Sequence, residues 1–275
     1  LVSTKIMKDS VTTKLGELGL CKIIAKTFNK HQANIHIIKN CLHCIIACGN
    51  NKPEFAKELG STNEIIGNFG STLGYIGNDI EGILLFLGAL RSLASHLANA
   101  KKLSSVSNGK SMFKWIATLL DHFMEEERIV ISAVSTISEL AMDSTCAEIF
   151  GSLGVPTVLV SLLSGHRKNI QVVSEALKAT GRLAGGCTKN ALRLGSNGAC
   201  GSILVVLETH VSNGVVCKYA CEAIAGLTVN SLQNRNIIGN SSSTNANALL
   251  LKALEIHKED ESITAVVLHC IATLA

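Results

Sequence analysis

Along the chain a short hydrophobic pattern keeps returning: a small residue, an aliphatic one, two variable positions and a closing aliphatic residue. It reads ALRSL at 89–93, TISEL at 136–140, AIAGL at 223–227 and CIATL at 270–274, with ATGRL at 179–183 as a variant and CLHCI at 41–45 as the first copy. Such segments put their aliphatic side chains on one face of a helix. The closing residues Ile45, Leu93, Leu140, Leu183, Leu227 and Leu274 are separated by 48, 47, 43, 44 and 47 residues. A period in this range marks stacked helical repeats, in which no unit buries its apolar face alone. A second amphipathic helix runs in the same register. GVPTVLVSLLSGH (154–166) aligns without a gap on GACGSILVVLETH (198–210), 44 residues on, and WIATLLDH (115–122) and LLLKALEIH (249–257) are further copies. In the best copy Gly154 is placed to end the preceding helix, and Pro156 sits in the first turn of the next, where its missing N–H is not needed.

GVPTVLVSLL, followed by a helix closing on Leu183, and NRNIIGN at 234–240 resemble the armadillo repeat. The resemblance runs over nearly the whole chain and implies an all-α fold, a right-handed α-solenoid of three-helix repeats. The expected repeats are 1–50, 51–98, 99–148, 149–192, 193–239 and 240–275, as one solenoid domain that is part of a longer chain. It further implies that the third helix of each repeat lines a concave groove. Two segments depart from the pattern. NFGSTLGYIGND (68–79) is glycine-rich where a second helix belongs; it has no Lys-Ser/Thr pair to hold phosphate and reads as a frayed helix or loop. ANAKKLSSVSNGKS (98–111) reads as a polar, exposed inter-repeat loop.

Composition narrows the class. Hydrophobic residues are 47% of the 275, charged residues 17% and aromatics 4%, with 2 Pro, which suits packed helices rather than a disordered chain. The net charge of +4 is too mild to indicate nucleic acid. No apolar run approaches the 18 or so residues of a membrane span, so no membrane insertion is expected. Ten cysteines with no visible secretory segment lead us to expect reduced thiols in an intracellular, cytoplasmic setting. Cys41, Cys44 and Cys48 share their spacing with Ile37, Ile38, Leu42, Ile45 and Ile46 and read as core. A zinc site would need a second ligand pair, and none is present.

Five of the nine histidines, His31, His122, His166, His210 and His257, follow the second helix. An active site requires one asymmetric constellation, so this recurrence points instead to a helix C-terminus. Acidic residues at 125–127 and 259–261 precede third helices, where carboxylates favour the helix start. No nucleophile, HExxH or paired-acid pattern is present; no enzyme, no catalytic residue, no metal and no cofactor are expected.

In the resembled family, ligand-facing positions of the third helix lie one and five residues before the closing aliphatic residue. Mid-chain these are Ser135 and Glu139, Lys178 and Arg182, and Glu222, with Lys218 one turn earlier. The expected function is a non-enzymatic protein–protein interaction scaffold holding a peptide or helix in the groove. Lys178 and Arg182 would receive carboxylates, and Glu139 and Glu222 would face basic side chains. Two other readings remain: a regulatory or oligomerising segment of a larger enzyme or signalling protein, and sensing of a phosphate-bearing small molecule by Lys178 and Arg182. Exposed end repeats also lead to an expectation of self-association, and of fraying at residues 1–15 and at the C-terminus. Purified protein is expected to carry no bound metal; elemental analysis finding one zinc or iron per chain would restore the cysteine cluster as a site.

Overall fold

A computed structural model describes residues 14–51, 53–106, 109–240 and 245–275. Among these, helix is the only regular structure. The chain divides into two compact units, Leu1–Ile116 and Ala117–Ala275. The first holds α1 (Leu20–Lys30), α2 (Ile35–Asn51), α3 (Pro53–Ser61), α4 (Asn63–Phe69), a 3-10 turn (Gly70–Thr72), α5 (Leu73–Ile76), α6 (Ile80–Ala94) and α7 (Leu97–Ser105). Helix α8 (Gly109–His122) spans the boundary. The second unit continues with α9 (Glu127–Leu140), α10 (Ser144–Ser152), α11 (Val155–Gly165), α12 (Ile170–Gly186), α13 (Thr188–Ser196), α14 (Ala199–Thr209), α15 (Gly214–Thr228), α16 (Leu232–Gly239), α17 (Ala246–Ile256) and α18 (Glu261–Leu274). Short, middle and long helices alternate in threes. The long third helices α9, α12, α15 and α18 pack each against the next. All of the closing aliphatic residues but Leu274 are fully buried.

Three steps between neighbouring first helices interlock through a polar contact. Asn190, wholly buried in α13, donates its Nδ2 to the Ala147 carbonyl of α10 at 2.7 Å. Asn234 in α16 does the same to Ala191 at 2.9 Å, and also to Leu227. In the first unit, Asn99 in α7 donates to Ala56 at 2.7 Å and to Leu93 at 2.9 Å. Each amide occupies the space that a Cβ on a glycine of the preceding first helix would need: Gly151 below Asn190, Gly195 below Asn234, Gly60 below Asn99. A buried amide is costly without partners, so the hydrogen bond and the glycine gap together select one register between neighbours. Between α12 and α15 the approach is closer still. A Cβ on Gly226 would lie 2.7 Å from the Gly181 carbonyl oxygen, so these third helices meet backbone to backbone.

The corner between second and third helix also repeats. His166, His210 and His257 end α11, α14 and α17, and their carbonyls accept from Asn169, Asn213 and Asp260, whose side chains cap α12, α15 and α18. The histidine rings do more than sit at a helix terminus. His210 donates from Nε2 to the Arg167 carbonyl at 2.6 Å, and His257 to the Val211 carbonyl at 2.7 Å, so each fastens its own corner to the preceding one. Gly154 and Gly198 adopt left-handed φ values of 84° and 88° before α11 and α14, as the Gly-x-Pro start of α11 predicts.

Two local expectations are corrected, on α7 and on Cys44. The glycine-rich segment, expected as a frayed helix or loop, is a helix broken into short pieces, α4, the 3-10 turn and α5, ending at Ile76; buried Phe69 anchors it between Phe28 and Phe86 at ring-centroid separations of 5.7 and 4.5 Å. Residues 97–105, read as loop from 98, form α7, since Asn99, Ala100 and Leu103 share a buried face; Lys101 and Lys102 are exposed, as expected of a polar edge. Cys44 is exposed, whereas Cys41 and Cys48 are buried. The buried face of α2 centres near Ile45, and at about 100° per residue Cys44 falls at its margin. Apart from residues 14 and 15, the N-terminal stretch expected to fray lies outside the described residues.

Gly→Ala in an ordinary exposed helix stabilises by up to about 1 kcal/mol. Gly151→Ala is expected to do the reverse, costing about 1–3 kcal/mol, because the new methyl displaces Asn190. Asn190→Ala should cost a similar amount. Urea unfolding of the double variant should show a loss well below the sum. Additive losses would mean that the two positions are not coupled.

Candidate functional site

The surface strip expected to face a ligand is built by α9, α12 and α15, one repeat apart. Ser135 is buried at 6% exposure and adds little to the surface. Glu139, Lys178, Arg182, Lys218 and Glu222 are all half-buried. The structure joins three of them. Glu139 Oε1 receives Arg182 Nη1 at 2.9 Å and Lys178 Nζ at 3.2 Å. Arg182 also donates to the Ser138 carbonyl at 3.1 Å. The side chains of the three are only 18–27% exposed, so this brace is less screened than a surface pair. Desolvation pushes the Glu139 carboxyl up, but the charges of Arg182 and Lys178 and their hydrogen bonds outweigh it and hold the group below the usual range. Lys178 Nζ also lies 5.9 Å from the centroid of the Tyr219 ring, on α15. Lys218 donates to Ser262 of α18 at 3.2 Å. Glu222 forms no ion pair among the described residues. Two cations therefore bind one carboxylate, and the strip carries a paired positive end on α9 and α12 and a looser charge pattern on α15.

One turn before Lys178, the same helix face lines a cavity of about 400 Å³ between the starts of α12 and α15. Ile170, Gln171, Ser174 and Glu175 form one side, and Val215 and Tyr219 the other. The Ser174 hydroxyl and Glu175 Oε2 are buried there without a protein hydrogen-bond partner. The sequence reading did not single out these residues. Ser174 continues the four-residue ladder of Lys178 and Arg182 by one step, which is the signal that would have found it.

Cysteine chemistry is muted. Burial pushes Cys21 up to about 12 and Cys41, Cys48 and Cys200 up to about 11, so these thiols stay protonated. Cys217 is raised by its hydrogen bond with Cys221 and by burial. Among the described residues no three His, Cys, Asp or Glu side chains gather as metal ligands.

Comparison with known proteins bears on the fold. No protein-family model and no curated protein matches the sequence. Solved structures do. A designed armadillo repeat protein in complex with the peptide (KR)4 matches with a TM-score of 0.73 at 17% identity, over 92% of this chain and 98% of the other. An engineered protein matches with a TM-score of 0.74 at 15% identity, over 92% and 96%. A computationally designed armadillo repeat protein for modular peptide recognition gives 0.66 at 18% identity, over 88% and 96%. At these identities the likeness shows the fold alone, an all-α solenoid of armadillo type.

The brace sets a pH dependence. The Glu139 carboxyl is depressed in the folded state, so its contribution is full above the unfolded carboxyl value, about 4.3, and is lost as pH falls through the lower folded value. Glu139→Gln should therefore cost about 1–2 kcal/mol in urea unfolding at pH 7 and at pH 5, and that gap should close below about pH 4. A gap that is the same at pH 7 and pH 3 would show that the carboxylate charge is not what matters.

Proposed function

We propose that on this armadillo-type scaffold the strip formed by α9, α12 and α15 is a non-enzymatic binding surface for an extended peptide segment of a protein partner. The observation that carries the reading is the placement of charged, half-buried side chains at corresponding positions of three consecutive third helices. Packed helices lie about 8–10 Å apart. An extended chain presents a side chain to one face about every 7 Å. A peptide crossing the helices thus meets a new third helix every two or three residues, with polar groups waiting at each. Two of the structural neighbours carry peptide complexes or peptide recognition in their descriptions, which supports the same kind of partner.

The geometry refines which charges are available. A carboxylate of the partner would share Lys178 and Arg182 with Glu139 rather than meet two free cations. Glu222 is open to a basic side chain, and Lys218 to an acidic one. A phosphate-bearing small molecule would have to compete with Glu139 for both cations, which makes the peptide reading the stronger one. The surroundings in which the protein works are proposed to be reducing and cytoplasmic, in keeping with its ten cysteines.

Peptides selected against the 275-residue protein from a random display library provide the test. Lys218→Glu combined with Glu222→Lys reverses the strip on α15 while keeping the net charge. This swap is expected to weaken the selected peptides at least tenfold, with helicity unchanged. Lys101→Glu, in α7, should leave them unaffected. The opposite pattern would move the binding surface to α7 and remove this reading.

A further inference from the structure

We infer that the outward face of α1 docks on the surface of a membrane bearing anionic phospholipids, without any helix crossing it. The inference concerns the first unit alone and does not rest on the peptide-binding reading. Helix α1 buries Cys21, Ile24, Ala25 and Phe28 and turns its opposite face to solvent. Lys22, Lys26 and Lys30 are all exposed on that face. At about 100° per residue they and Ile23 fall within an arc of about 100°, and the lysines span about 12 Å of helix axis. Ile23 is 59% exposed. Just before the helix, Gly19 takes a left-handed φ of 83° and Leu18 is 77% exposed, more than any other large hydrophobic residue among those described. Lys14 and Leu15 are exposed one turn earlier. Glu17 is the one carboxylate between residues 14 and 30. Lys39, Lys178 and Lys189 each bond a carboxylate elsewhere in the molecule. Among the described residues no ion pair engages Lys14, Lys22, Lys26 or Lys30, and Glu54, Glu58 and Glu64 on the packed helices α3 and α4 pair with none of them.

The mixture of residues selects the partner. Lysines around exposed aliphatic side chains match a lipid headgroup layer. The ammonium groups meet phosphate and carboxylate charge at the surface, while Leu18 and Ile23 enter the boundary between headgroups and acyl chains. Lysine stems are long and apolar, so they lie along the aliphatic groups and still carry their charge to the headgroups. Nucleic acid fits less well, because the face offers no arginine and no aromatic ring on which a base could stack; Phe28 is wholly buried. Docking of this kind needs no transmembrane segment, and no single described helix is long and apolar enough to be one. Because these lysines are unpaired, they give up no internal ion pair on binding.

The probes are vesicles of phosphatidylcholine alone and of phosphatidylcholine with about 30% phosphatidylserine. The 275-residue protein is expected to co-sediment with the anionic vesicles and not with the neutral ones. Raising the salt from about 0.05 to about 0.5 M should weaken binding at least tenfold. Lys22→Glu combined with Lys26→Glu should also weaken it at least tenfold, with helicity unchanged. Lys168→Glu combined with Lys252→Glu alters the net charge equally and should have less than a threefold effect. Leu18→Ser combined with Ile23→Ser keeps the charge and should weaken binding at least threefold. Should the glutamates disturb the helix, Lys22→Gln with Lys26→Gln is the milder pair, again with a loss of at least threefold. Equal binding to both vesicle types, equal losses for the α1 pair and the distant pair, or no loss with the serine pair overturns the inference. So does a single-stranded RNA or an acidic peptide that binds these lysines while the vesicles do not. Absence of binding to the anionic vesicles removes this inference and leaves the peptide surface on α9, α12 and α15 untouched.

Discussion

The structure depends on a buried amide meeting an absent side chain. Asn190 and Asn234 each lie over a glycine of the preceding first helix and donate to that helix's backbone. Hydrophobic contact holds neighbouring repeats together, but it is non-directional and would tolerate sliding or rotation of one unit on another. A buried amide does not tolerate it, because any shift strands a donor away from water. The Gly–Asn spacing is 39 residues at three steps: Gly60 to Asn99, Gly151 to Asn190 and Gly195 to Asn234. Gly16 and Phe55 keep the same spacing, with the Phe55 ring in the space that a Cβ on Gly16 would need. At these four steps a glycine makes room for an occupant that changes from one step to the next.

Register at the first helices propagates to the surface that matters for binding. Because α10, α13 and α16 are locked in sequence, the third helices they precede are held in fixed relation, and Gly181 and Gly226 let α12 and α15 approach to backbone contact. The corner histidines fasten the opposite end of the same helices through the Arg167 and Val211 carbonyls. A binding strip spread over α9, α12 and α15 is therefore preorganised by contacts that lie mostly outside it. This division suits a repeat scaffold: side chains on the third helices are free to vary in charge without loss of register.

Within the strip, electrostatics are settled by neighbours rather than by residue type. Lys178 and Arg182 lie one turn apart and look like a free dication in the sequence. Folding brings both onto Glu139, whose own carboxyl is held ionised by them. The same event leaves Glu175 without its nearest helical cation. One ion-pair choice in a single helix thus converts a basic patch into a braced pair beside an unpartnered acid.

Hydrophobic periodicity alone was enough to determine the all-α repeat architecture, because a solenoid repeats the same burial pattern in every unit and five or six copies make it legible. The helix starts at Gly154 and Gly198 and the helix ends at His166, His210 and His257 were readable for the same reason: local backbone conformation is set by residues a few positions apart. What tertiary structure decided was everything that depends on a partner some 40 residues away. The broken helical pieces at 63–76 are anchored by Phe69, held between Phe28 and Phe86. Residues 97–105 became a helix because Asn99 finds the Ala56 carbonyl. Cys44 moved to the surface because the burial of α2 is centred on Ile45. Glu139 took both cations, and Ser174 and Glu175 acquired a cavity, because α9 and α15 flank α12 at distances that no periodicity in the chain encodes. Local pattern specifies which residues are helical and which face is apolar; only the packed neighbours specify which polar groups are satisfied and which are left to bind something else.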